Sequence, residues 1–120
     1  METVVIVLQV VIALGLLNVW IVRFGKPTAW RGGGAASMRE EFSAYGLPPW
    51  FMWLVGFLKV TFAVLLIAGI WVPSLARPAA IGVAILMLGA VLMHFNVRDP
   101  VKKSVPALTV LVLSLIVAAA

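Results

Sequence analysis

Four apolar runs, 3–22, 50–71, 79–95 and 105–120, occupy most of this chain, and the only formal charge inside them is Lys59. A helix of ~20 residues crosses the roughly 30 Å of hydrocarbon in a bilayer, and each run is close to that length. What remains could not build a water-facing surface. Charged residues are 11% of the 120 and hydrophobic ones 64%, whereas roughly a quarter of a soluble domain is charged. In water, so short a chain could not bury this much apolar side chain. The expected fold is all-α: a polytopic four-transmembrane-helix bundle, one domain over 1–120, with a short interfacial helix at 37–45 in the first loop.

A signal peptide in place of the first span would need a basic start and a small-residue cleavage site. Glu2 stands at the start and 23–26 offers no such site, so a span is expected. In the polar stretch that follows, Arg31-Gly32-Gly33-Gly34 reads as a flexible link. A phosphate-binding loop would need a Lys-Ser/Thr pair between a strand and a helix. Ser37 and Glu40 have capping-box spacing, and Gly46 before Pro48 and Pro49 ends the short helix. Met38, Phe42 and Tyr45 share one face of it, which should lie in the interface or against the bundle.

Trp20, Trp50, Trp53 and Trp71 lie near span ends, where indoles anchor at headgroup depth. The stretch 72–78, with two prolines, reads as a tight turn, leaving third and fourth spans of about 24–26 Å at helical rise. Gly82 and Gly89 fall on one face of the third helix, and Gly15 and Gly56 offer further points of close approach. Basic residues cluster in the first loop (Arg23, Lys26, Arg31, Arg39) and the third (Arg98, Lys102, Lys103), against Arg77 opposite. The positive-inside rule then directs both long loops to the cytoplasm and both termini outward, in a bacterial inner membrane. The net charge of +5 reflects those loops. No basic stripe with interleaved aromatics points to nucleic acid. With no cysteine, thiolate nucleophiles, iron–sulfur clusters and Cys-ligated zinc are excluded from this chain acting alone.

Lys59 carries the most chemical information. A lysine near mid-membrane costs about 2.5–3.5 kcal/mol on insertion scales, so its ammonium should turn inward to an acceptor. Gly56, Ala63 and Met52 share its face. Glu40 is engaged by the capping box, which leaves Glu41 as the preferred partner, Asp99 as the second, and Asn18 as an amide contributor. The pair could simply fix helix order, or it could handle a ligand or a proton. His94 is the single histidine, too few for a bis-imidazole haem or a self-contained zinc site, and it reads as an interfacial hydrogen-bonding group or a quinone or proton contact. Asp99-Pro100 reads as a turn start. Asn18, Glu41, Lys59, His94 and Asp99 all approach the side of the two long loops, so a polar pocket there is expected. No catalytic residue and no metal ligand set is assigned.

The stretch 38–53, Gly56-Phe57-Leu58-Lys59, Gly69-Ile70-Trp71-Val72-Pro73, His94-Phe95-Asn96-Val97-Arg98-Asp99-Pro100 and Lys103-Ser104-Val105-Pro106-Ala107 together resemble the DoxX-like family of small four-helix membrane proteins. The resemblance covers nearly the whole chain, through Gly, Pro and apolar spacing. It implies kinship with small membrane subunits of thiosulfate:quinone oxidoreductase, and more distantly with an assembly chaperone for nicotinic receptors. The expectation is a membrane subunit or accessory protein of a quinone-linked oxidoreductase system, not catalytic on its own. It would have no intrinsic cofactor, a bound quinone or lipid in the polar pocket, and other membrane subunits or further copies of itself as partners. A non-enzymatic scaffold or assembly chaperone is the alternative.

Overall fold

Inside a bilayer the backbone must satisfy its own hydrogen bonds, and a chain with these apolar runs can do so only as helices. The computed structural model describes residues 2–26, 28 and 30–120, and every regular element among them is helical. Helix α1 covers Glu2–Leu17 and runs on through a π-helical turn, Asn18–Val22. The short α2 covers Met38–Ala44, α3 Pro49–Ala68, α4 Ala76–Asn96 and α5 Val105–Ala119. With their flanking turns, four segments are long and apolar enough to cross a membrane: Glu2–Val22, Pro49–Ala68, Pro73–Asn96 and Val101–Ala119.

The third and fourth spans are longer than the sequence suggested. Pro78 does not end a turn but sits in the first turn of α4, and the fourth span gains the 3-10 turn Val101–Ser104 ahead of α5, in whose first turn Pro106 lies as expected. The first amides of a helix have no intrahelical acceptor, so a proline there loses nothing. A single 3-10 turn, Pro73–Leu75, joins α3 to α4.

The long helices form a ring in which α1 packs on α3, α3 on α4, α4 on α5 and α5 back on α1. Ile12, Ala13, Leu16, Ala63, Leu66, Ala79, Ala80, Val83, Met87 and Val117 fill its centre. Small residues on α4 let backbones approach closely, as expected where lipid, not water, competes for the contact. Gln9, buried within α1, donates from Nε2 to the Leu66 carbonyl at 2.8 Å, supplying an acceptor near the end of α3 with a partner.

A second apolar cluster, Trp20, Met38, Phe42 and Met52, docks α2 against the bundle. Trp50, Trp53 and Trp71 are exposed at span ends, but Trp20 is only 7% exposed and is not an interfacial anchor. It follows Leu16 by four residues and so continues the inward face of α1. The indole fills space left open by Gly56, where any Cβ would collide with the ring.

Candidate functional site

The loop face of the bundle is organised by two helix ends of identical design. At the end of α2, Gly46 adopts a positive φ of 75°, with Gly46 N–H donating to the Ser43 carbonyl and Leu47 N–H to that of Phe42. This is a Schellman motif, which normally places glycine at the left-handed position and an apolar contact between the residue after it and the one five places earlier. At the end of α4 the same bonds recur, Arg98 N–H to the Phe95 carbonyl and Asp99 N–H to that of His94. Here the left-handed residue is Arg98, with φ 57°, a conformation that costs a side-chain-bearing residue about 1–2 kcal/mol. The positions that meet at the α2 end as Leu47 and Phe42 are Asp99 and His94 at the α4 end.

That turn brings the Asp99 carboxylate to 2.7 Å from His94 Nδ1, with each side chain 6% exposed. A carboxylate only accepts, so Nδ1 is the donor of this bond, and the one side-chain hydrogen bond of the His94 ring among the described residues is made through Nδ1. Asp99 also accepts from Gly33 N–H at 3.1 and 3.2 Å, and Lys103 Nζ stands 3.9 Å away. Lys103 in turn donates to the Arg31 carbonyl at 2.9 Å. One carboxylate therefore ties the third loop to the first.

The glycines that read as a link in the sequence lie beside a buried arginine. Gly32–Gly34 form a 3-10 turn, and Arg31, 3% exposed, is the residue around which the loop closes. Its Nε donates to the Lys26 carbonyl at 3.0 Å, and Nη2 donates to the carbonyls of Arg23 and Phe24. Nη1 pairs with Glu41 Oε2 at 3.0 Å. The other Glu41 oxygen accepts from the Tyr45 hydroxyl at 2.9 Å, and the Tyr45 ring meets His94 edge-on at 6.1 Å. Arg31, Glu41, Tyr45, His94 and Asp99 thus make a continuous network. Ser37 Oγ accepts from Glu40 N–H as the cap spacing requires, but the Glu40 carboxylate meets the Ser37 hydroxyl and not its backbone.

The five residues singled out from sequence separate accordingly. His94, Asp99 and Glu41 come together. Asn18 is exposed; it lies two residues from Leu16 and from Trp20, off the inward face of α1. Lys59 does not form the expected ion pair with Glu41 among the described residues; Arg31 and Tyr45 are the partners of the two carboxylate oxygens. Its ammonium faces the Trp20 ring at 5.6 Å from the centroid, so a π face serves where a carboxylate was expected, an interaction worth about 2 kcal/mol when desolvated. Arg31 and Tyr45 were missed as site residues. The signal for Tyr45 was available, since it lies four residues beyond Glu41 on one helix. Arg31 offered none, because its partners are mostly backbone carbonyls. Among the described residues no three acidic, His or Cys side chains gather as a metal site.

The sequence model of the DoxX-like family matches residues 7–118. The uncharacterized protein YdgD of Bacillus subtilis (strain 168) is 32% identical over 79 residues, which is 65% of this chain and 69% of that protein. No solved structure matches.

Proposed function

Because the chain belongs to the DoxX-like family, we propose that it serves as a membrane subunit or accessory protein of a quinone-linked oxidoreductase system, holding a lipophilic headgroup at the loop face of its bundle. The observation that carries this reading is the His94–Asp99 pair, nearly out of water at the end of a membrane-spanning helix and produced by a strained turn at Arg98. Backbone strain of this kind concentrates where function requires it. A bound quinone would supply the two-electron, two-proton couple, with electrons coming from a partner protein. This chain's part is positional and protic. Asp99 orients the imidazole, and His94 Nε2 accepts a proton from a headgroup hydroxyl or returns one to a headgroup oxygen. Tyr45 closes one edge of the ring. Both long loops face the cytoplasm in this reading, following their basic residues.

Thermal unfolding of the purified protein with a short-chain ubiquinone or menaquinone analogue tests it. A ligand that binds only the folded state raises the midpoint with the logarithm of its concentration over its dissociation constant, so a rise of several degrees is expected with wild type and a much smaller one with His94→Gln. No rise with wild type, and no quinone in extracts of the protein purified from membranes, would sink the proposal. The alternative, a scaffold for other membrane helices or further copies of this chain, is favoured by Gly15 and Gly89, beside which nothing lies within 4 Å of an added Cβ. It predicts co-purifying membrane proteins and indifference to Lys59→Met.

A further inference from the structure

The opposite flank of α2 carries a second feature that the His94 network leaves unused. Glu41 and Tyr45 turn toward α4, but Arg39 and Ser43, one helical turn apart, turn away and line a groove between α2 and the start of α3. Its volume is about 380 Å³, and Phe42, Leu47, Pro48, Pro49 and Met52 complete its wall. That size is within the range of small-molecule sites, roughly 300–1,000 Å³. The groove wall is amphipathic, combining a guanidinium and a hydroxyl with apolar side chains.

Its depth follows from the neighbouring indoles. Trp50 and Trp53 are exposed beside it, and exposed indoles at a span end mark the headgroup level. The Arg39 guanidinium lies 5.7 Å from the Trp53 ring centroid, so it is held at that level. Arg31 spends its charge on Glu41 and on loop carbonyls, whereas Arg39 makes no ion pair among the described residues. A cation at headgroup depth above an apolar slot matches the phosphate and first methylenes of an anionic phospholipid. We propose that the α2–α3 groove is a binding site for one anionic phospholipid, its phosphate on Arg39 and Ser43 and its acyl chain along Leu47, Pro48 and Pro49, the accessible apolar residues of the wall.

This inference is independent of any quinone role, and its test does not involve quinone. The protein is exchanged into mixed micelles containing phosphatidylglycerol and phosphatidylcholine in equal amounts, and retained lipids are counted by native mass spectrometry. Wild type should keep one phosphatidylglycerol per chain in preference to phosphatidylcholine. Arg39→Gln should reduce that preference about fivefold, the scale of one basic residue at a membrane surface, and Arg39→Lys should restore most of it. Lys102→Gln, which removes an exposed loop charge outside the groove, should leave it unchanged. Equal losses in Arg39→Gln and Lys102→Gln would mean diffuse surface attraction and overturn the site. So would an unaltered preference in Arg39→Gln, or displacement of the retained lipid by soluble glycerol phosphate at equal concentration.

Discussion

At the scale of single residues, the network turns on how few groups satisfy one another. Tyr45 lies outside the membrane-spanning helices, and its phenol is pushed well above its usual value, first by removal from water and then by the Glu41 carboxylate it bonds, with Asp99 adding and Arg31 opposing. The folded protein therefore holds this proton more tightly than the unfolded chain does. The resulting stabilisation is complete below about pH 10, the ordinary phenol value, and is lost as pH rises through the folded value. Because the chain has a single tyrosine, tyrosinate absorbance reads this directly. It should be absent from the folded protein at a pH where the denatured chain already shows it, and Tyr45→Phe should lose the alkaline fall in stability. A normal titration in the folded protein would contradict the Tyr45–Glu41 bond. Glu41 could be placed on the buried flank of α2 from sequence alone. The His94–Asp99 pairing could not, because it depends on Arg98 entering a conformation that nothing in its side chain requests, whereas the equivalent turn at Gly46 announces itself.

At the scale of elements, the contact between α1 and α3 is set by one large residue and one absent side chain. The Trp20 indole, on the buried stripe that continues α1, fits only because Gly56 has no Cβ. Gly56→Ala should therefore destabilise the protein by about 1–3 kcal/mol, the usual cost of overpacking a filled site. Trp20→Leu in the same chain should recover part of that loss, since the two changes act on one contact and cannot add. Thermal unfolding of the single and double variants checks this; additive losses would mean that the two residues do not share the contact. The sequence marked Gly56 as a place of close approach but could not say what approaches, and it assigned Trp20 to the headgroup layer. Proximity to a span end is a weak guide when a residue also continues the buried stripe of its helix.

At the scale of the whole molecule, the chain measures 39 Å along its longest axis, more than the roughly 30 Å thickness of bilayer hydrocarbon. The proposed orientation can be tested without background labelling because the chain contains no cysteine. In intact bacterial cells a membrane-impermeant maleimide should modify Ser74→Cys, in the turn between α3 and α4, and should reach Ala36→Cys, in the first loop, only after permeabilisation. The reverse pattern would invert the topology and place the His94 network on the outer face. Hydropathy was enough to establish the helical class and four segments long and apolar enough to cross a membrane. Those properties arise from each segment's own exchange between water and lipid, and a segment's composition contains them. Which residues meet was decided only when the helices packed. Arg31 closes the first loop, Asp99 clasps His94 and Gly33, and Lys59 comes to rest on an indole, because contacts across 5 to 72 positions of chain are chosen by the space and the polar partners that packing leaves available.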